Sequence, residues 1–493
     1  MDRYESFADC LKRCLKEADL SASEAARLVG YRSRNSIFRI LAGNTGPDIN
    51  LRFLTALHGA LGDSWPMERW LALEQSLAME RLGPERYRDN QAFQRVLHGQ
   101  SGEMPDYRVV HLRPDGGKAE YALADLLDET ARSARAEIVI TGCCDGGLAR
   151  LLAERCGAAG DQGRLTLRHY IDTAESVVTR NILGVLPLVG KPWYNARLVA
   201  PGSCPEETIS LYRVHALHIR RWDEQDAVQG GMIIRLDEKN FASQMMVSGA
   251  SAAIAVLDRW RFDLDLLKPM PQLDDGVEAF VEYTRQCAWL ERDCTICSIK
   301  PDVHFNCIPA ALLEQAILEG FQQTGMAAGP ELNALVDALK RVHDARYANM
   351  LEKHKPTHLV YSLPAMERFM RTGVQSDHFF IQRAYTVEER RQIVRGLQEA
   401  MISHPWFNVH FLKERAPELC NEITFYDGKG VLLMDAYTNY ALSEDHSEAV
   451  ITLPAFMESF HRYFMDELLV HHVMSRAETL RALEALLVMN IQE

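Results

Sequence analysis

The 493-residue chain predicts a multi-domain protein: an all-α helix-turn-helix head followed by a duplicated α/β body with a helical insert. Three observations predict it. Through roughly the first hundred residues, apolar positions recur at helical spacing between helix start and stop signals. Beyond about residue 105, short apolar runs rich in β-branched residues alternate with helical stretches, the pattern of α/β layering. Two segments roughly 210 residues apart then repeat a Pro-Trp-aromatic-Asn turn ahead of an alternating strand, which points to duplication. The expected division is a head over 1–65, connecting helices and a linker over 66–104, a first α/β lobe over 105–268, a helical insert over 269–356, and a second α/β lobe with a C-terminal helix over 357–493.

In the head, Phe7, Leu11, Cys14, Leu15 and Ala18 recur at helical spacing and predict a supporting helix, in which Cys10 and Cys14 share a face as small buried residues. Ser21 is a good N-cap, and Glu24 three residues on completes a capping box. Ala25 and Ala26 permit a close helix approach, and Gly30 can take the positive φ that ends the helix. A second helix over about Ser33 to Leu41 buries Ile37, Ile40 and Leu41, with Arg34, Asn35, Ser36 and Arg39 outward. Those side chains suit a major groove, where Arg reads guanine edges and Asn reads adenine edges. The candidate DNA-binding residues are therefore Ser21, Arg32, Ser33, Arg34, Asn35, Ser36 and Arg39. A helix with Leu51, Leu54, Leu57, His58 and Leu61 closes the bundle, and the next carries two stripes, Trp70, Leu73 and Leu77, and Leu71, Ala78 and Leu82. Two stripes call for two partners, one of which a second subunit would supply.

The segment from Leu20 to Leu61 resembles the DNA-binding domain of the lambda repressor and Cro family through Leu20, Ser21, Ala26, Gly30, Ile37, Arg39, Ile40 and Gly43. One residue more than the commonest spacing separates Gly30 from Ile37, and Ala25 stands where a larger aliphatic is usual. The resemblance covers about the first 65 residues and implies a recognition helix on double-stranded DNA.

Composition is that of a soluble globular protein, 47% hydrophobic and 25% charged. The N-terminus lacks signal-peptide features and no apolar run spans a bilayer, so a cytoplasmic protein with no membrane partner is expected. Eleven cysteines scattered over the chain fit reduced thiols. The net charge of −14 is uneven: residues 1–70 carry about +1 and the remainder about −15. A near-neutral head with Arg27, Arg32, Arg34 and Arg39 around its turn can bind DNA locally while the acidic body limits non-specific binding.

In the body, a helix over Leu123 to Ala134, the strand Ile138 to Thr141, a Gly-rich turn over Gly142 to Gly147, a helix over Leu148 to Arg155 and the strand Leu165 to Tyr170 open the first lobe. Lys191-Pro192-Trp193-Tyr194-Asn195 parallels His404-Pro405-Trp406-Phe407-Asn408, Leu211-Tyr212 parallels Phe425-Tyr426, and Ser243 to Ser248 parallels Ser447 to Thr452. Between the copies, Leu332, Leu335, Leu339 and Val342 make a two-heptad seam. Ahead of it lie Cys287, Cys294, Cys297, His304 and Cys307, better read as small buried residues than as zinc ligands because no second Cys-x-x-Cys follows. No metal and no cofactor is expected.

The second lobe's hairpin Asp427-Gly428-Lys429-Gly430, the strand Val431 to Met434, the strand Ala449 to Ile451 and the helix to Leu469 resemble the phospholipase-D-like modules that some regulators carry as sensors. A catalytic member would need His-x-Lys in each lobe, and neither lobe holds one, so the resemblance implies a non-catalytic two-lobed sensor. Gly184 to Lys191 is one residue too long for a phosphate loop, and Gly142 to Gly147 lacks the dinucleotide order. His169, Asp172, Glu175, Arg180 and Trp193 are candidates to line a pocket in the first lobe. The expected function is a one-component DNA-binding transcriptional regulator, not an enzyme, acting as a homodimer with a small-molecule effector. The alternatives are an enzyme with an attached DNA-binding head, or a phage or defence interaction scaffold.

Overall fold

A computed structural model describes residues 5–31, 34–98, 107–112, 118–142, 146–172, 178–189, 191–199, 216–222, 228–235, 243–247, 267–269, 277–301, 303, 307–323, 329–374, 384–413, 419, 421–435 and 448–491. The chain divides into two compact units, Met1–Gln91 and Ala92–Glu493.

The first unit is helical: α1 (Phe7–Glu17), α2 (Ala22–Leu28), α3 (Arg34–Leu41), α4 (Pro47–Leu61) and α5 (Met67–Leu82), with the boundary between units falling inside α6 (Pro84–Leu97). Its core gathers one face from each of α1 to α5: Phe7, Leu11, Ala25, Ile37, Phe53 and Leu73 are at most 2% exposed. Each such Phe, Leu or Ile side chain contributes roughly 1.5–3 kcal/mol by leaving water. Cys10 and Cys14 fill this core, and burial pushes the Cys14 thiol up to about 12, so neither is reactive at neutral pH. Only the first stripe of α5 is buried, since Leu71 remains 46% exposed.

The second unit holds two sheets. The first lobe runs β1 (Arg108–Leu112), β2 (Lys118–Ala122), α7 (Leu123–Ala131), β3 (Arg135–Gly142), α8 (Gly146–Asp161), β4 (Leu165–Asp172), α9 (Val178–Gly184), β5 (Tyr194–Val199), β6 (Ala216–Trp222), β7 (Val228–Arg235) and β8 (Ser243–Val247). The second runs β9 (Leu267–Pro269), α10 (Val277–Glu291), β10 (Ile296–Lys300), α11 (Ala310–Gln323), α12 (Pro330–Leu351), β11 (Thr357–Tyr361), α13 (Leu363–Thr372), α14 (Val387–Ser403), β12 (Phe407–Phe411), β13 (Asn421–Tyr426), β14 (Gly430–Asp435), β15 (Glu448–Ile451), α15 (Pro454–Arg462), a π-helical stretch (Tyr463–His472) and α16 (Arg476–Leu487).

Strand order in the first sheet is β2-β1-β8-β7-β6-β3-β4-β5 and in the second β12-β11-β10-β13-β14-β15-β9. From β5 to β8 and from β12 to β15 the two orders coincide: three parallel strands, then an antiparallel meander. The parallel strands need long crossovers, and helices supply them. Local hydrogen bonds repeat as well. The Trp193 carbonyl accepts from Leu167 N at 2.8 Å and the Trp406 carbonyl from Thr357 N at 2.9 Å, each at the start of the third parallel strand. Of the paired segments read from the sequence, Leu211-Tyr212 lies outside the described residues.

The expected helical insert over 269–356 does not stand apart. β10 lies inside that range and is a central strand of the second sheet, paired with β11 and β13, and β9 pairs with β15. Residues from Leu267 onward thus belong to one lobe. On α12, Leu332, Val336, Leu339, His343, Arg346 and Met350 form one buried stripe, with Leu332, Val336, Leu339 and Met350 in the lobe's own core.

Both faces of the second sheet are covered. Ile299, Phe425, Val431 and Ile451 pack with Phe456 and Phe460 of α15, and Val178 and Ile182 of α9 join that cluster from the first lobe. On the other face Leu359, Val409, Tyr426 and Leu432 share a core with residues of α11, α12, α14 and α16.

Adjacent strands β11 and β12 place His358 Nδ1 3.1 Å from His410 Nε2 with the rings stacked. Burial lowers both, and burial together with the nearby His358 and Arg476 takes His410 to about 4. An unfolded His protonates near 6.5, so between that pH and about 4 the unfolded chain binds more protons. The stability from holding His410 neutral is present above pH 6.5 and lost as pH falls through 4. The thermal midpoint is expected to drop between pH 7 and pH 4.5, and the drop to shrink in His410→Gln; an equal drop in both would remove His410 as its source.

Candidate functional site

Two regions carry the chemistry, one in each unit. In the first, Ser21 caps α2: its hydroxyl accepts from Glu24 N at 3.2 Å, while the Glu24 carboxylate accepts from Ser21 N at 2.9 Å. Those bonds hold the Glu24 carboxyl below its usual range. The Ser21 hydroxyl, also bonded to Glu24 at 2.6 Å, is thereby committed to the helix start. Gly30 takes φ +74° at the turn, and Gly43 takes φ +70° past the end of α3, where Asn44 N reaches the Arg39 carbonyl at 2.8 Å. Ile37 and Ile40 face the core, and Asn35, Ser36, Phe38 and Arg39 are exposed on α3. Of the remaining candidates, Arg32 and Ser33 lie outside the described residues, as does the side chain of Arg34, whose backbone opens α3.

In the second unit a cavity of about 330 Å³ opens beside α12, between Pro309 and Ala310 at the start of α11, Gly396, Leu397 and Ala400 on α14, and Phe407 on β12. Its polar lining is Cys307, His343, Asp344 and Tyr347. His343 is 2% exposed because it occupies the buried stripe of α12, one turn beyond Leu339. Its Nε2 lies 2.9 Å from the Ile308 carbonyl, which can only accept, so Nε2 carries the proton and Nδ1 the lone pair. Burial lowers the His343 pKa, which keeps the ring neutral at pH 7. Asp344 Oδ1 stands 3.6 Å from Nδ1 on a largely exposed side chain. Cys307 is a poor nucleophile, since burial pushes its thiol up to about 12.

Behind Cys307, whose sulfur is 4.0 Å from the Tyr361 hydroxyl, the sheet carries buried polar pairs. Lys300 at the end of β10 is ion-paired with Glu422 on β13, and Ser298 bonds Thr424 at 2.6 Å. Arg346 on α12 bonds Glu291 on α10 through Nε at 2.9 and 3.0 Å. These pairs tie β10 to β13 and α10 to α12.

Of the first-lobe residues singled out from sequence, those that are described are packed into the lobe. His169 is fully buried with Nδ1 3.1 Å from the Tyr194 hydroxyl, and Trp193 packs against Gly160 of α8 so closely that a Cβ there would strike the indole. Glu175 and the side chain of Asp172 lie outside the described residues, as do Cys143 to Asp145 of the Gly-rich turn, and Arg180 sits half-buried on α9. The cysteines do not converge: Cys287 and Cys294 belong to the core on one face of the second sheet and Cys297 to that on the other, with Cys294 donating to the Leu290 carbonyl at 3.1 Å. His304 lies outside the described residues. Sequence reasoning passed over His343, Asp344 and Tyr347, although the signal was there: two polar residues, His343 and Arg346, interrupt an apolar stripe at helical spacing.

No protein-family model matches the chain, and no curated protein matches it. Among solved structures the chain is similar to the crystal structure of phosphatidylserine synthase from Haemophilus influenzae Rd KW20, at 10% identity and a TM-score of 0.26, over 81% of this chain and 97% of that one. A likeness so slight lends this chain no activity. None of the three comparisons supports the expected DNA-binding transcriptional regulator, and that expectation is not carried forward. Among the described residues no helix is long and apolar enough to cross a membrane.

Proposed function

We propose that the body is an enzyme that moves a proton to or from a small molecule held in the second-lobe cavity, and that the attached head binds duplex DNA. The observation that carries this is His343: a neutral imidazole fixed as one tautomer by the Ile308 carbonyl, lining a cavity next to a carboxylate. A general base must be unprotonated at the working pH, and burial lowers the His343 pKa and so keeps the ring neutral. For the head, support comes from Asn35, Ser36 and Arg39, exposed on the helix that follows the turn, with side chains of the kind that read base edges.

Two measurements test the two halves. In a small-molecule turnover screen of the full chain, activity is expected that falls at least tenfold in His343→Gln, whose amide can still donate to the Ile308 carbonyl; turnover equal to the parent's would sink the catalytic half. In a mobility-shift assay on duplex DNA, Arg39→Ala is expected to lose about 1–3 kcal/mol of specific binding. Equal binding by parent and variant would sink the DNA half.

A further inference from the structure

The wall of the cavity beside α12 is almost free of charge. We propose that the cavity binds a small uncharged molecule with an apolar, ring-sized body, in preference to ions of the same shape. This deepens the catalytic reading above by naming its substrate class, and it rests on that reading for the choice of cavity.

Electrostatics select against ions. Among the described residues that line the cavity, four side chains can titrate, Cys307, His343, Asp344 and Tyr347, and there is no lysine or arginine. Burial pushes the Cys307 thiol up to about 12 and raises the Tyr347 phenol, so both keep their protons at pH 7. Burial lowers His343, so its ring adds no charge either. The remaining group, Asp344, has a side chain 60% exposed, where water screens its carboxylate. An ion that enters gives up hydration and meets no buried counter-charge, which is costly. An apolar body that leaves water gains on entry.

Size and wall shape define the body. About 330 Å³ is roughly twice the ~150 Å³ engineered cavity that holds benzene, so a fused pair of rings fits. Met350, Leu351, Leu397 and Phe407 supply apolar surface for those rings. Gly396, which also lines the cavity, is an independent sign. It lies inside the helix α14, where a glycine lowers stability relative to alanine, yet no atom stands within 4 Å of the position its Cβ would take. Close packing therefore does not require glycine there, and its missing side chain leaves the wall open.

Calorimetric titration of the full chain at pH 7 with 3-methylindole, tryptamine and indole-3-acetate tests this, since the three share a ring system and differ in charge. The neutral 3-methylindole is expected to bind at least tenfold more tightly than the cation or the anion. Hydrogen exchange of the parent protein locates the site: 3-methylindole is expected to slow exchange in α12 and α14. Gly396→Leu, which puts a side chain into the open space, is expected to weaken 3-methylindole binding at least tenfold; the exchange measurement places the site even where that variant fails to fold. Equal affinity for the three compounds, preference for either ion, no binding of 3-methylindole, no slowing in α12 and α14, or undiminished affinity in folded Gly396→Leu each overturns the proposal. The outcome is separable from that of the catalytic reading. Binding of the neutral ring without turnover keeps the ligand class and removes the enzyme, whereas His343-dependent turnover of an ionic substrate does the reverse.

Discussion

Arg346→Met is expected to lower the stability of the second lobe by about 3–5 kcal/mol, the typical effect of removing one partner of a buried ion pair. Arg346 and Glu291 are 6% and 3% exposed at their side chains, and the guanidinium meets the carboxylate through both Nε and Nη2. Removing the cation leaves a carboxylate buried among Cys287, Leu290 and the sheet, far from water that could solvate it. The double change Arg346→Met with Glu291→Met is expected to recover most of the loss, because two apolar side chains of similar volume carry no desolvation penalty. Urea unfolding followed by hydrogen exchange at α12 distinguishes the lobe's transition from that of the first unit. If the double variant is as unstable as the single one, packing rather than charge holds this site.

Phe93→Ala is expected to cost a similar ~3–5 kcal/mol, the range for deleting a buried aromatic side chain. Phe93 is fully buried, stacked on Tyr463 at 5.2 Å and edge-on to Phe456 at 5.7 Å and Phe460 at 5.2 Å. It therefore anchors the end of α6 to α15 and the π-helical stretch after it, and Asn421 Nδ2 donating to the Val96 carbonyl at 2.7 Å fastens the same helix to β13. Phe93→Leu, which keeps most of the volume, is expected to lose markedly less. Equal losses for Ala and Leu would place the energy in ring–ring geometry rather than in filled space.

Legibility from sequence differs between the units for a physical reason. Helix starts are local: Ser21 with Glu24, Thr386 with Glu389 and Ser475 with Glu478 each close a capping box within four residues, so the chain carries its own signal. The strand starts after Trp193 and Trp406 are local too, each set by a turn bond in which the Lys191 or His404 carbonyl accepts from Tyr194 N or Phe407 N, and both were visible as a repeated Pro-Trp-aromatic-Asn motif. β10 was not. Ile296-Cys297-Ser298-Ile299-Lys300 lies between long helices, and it is a strand because β11, about sixty residues on, and β13, more than a hundred on, supply its partners. Reading 269–356 as all helix followed from local pattern alone.

The cavity shows the same limit. A polar residue on an apolar helical stripe can be noticed in a sequence, but not whether it is a satisfied core group or the wall of a site. Sequence by itself determined the helix caps, the glycine turns and the outward positions of Asn35, Ser36 and Arg39, because each depends on contacts within a few residues. Only the tertiary structure decided that β10 joins the second sheet, that Lys300 finds Glu422 across it, and that His343 and Asp344 line a cavity with Phe407. Those juxtapositions come from pairings and packing between segments tens to hundreds of residues apart, which no local pattern encodes.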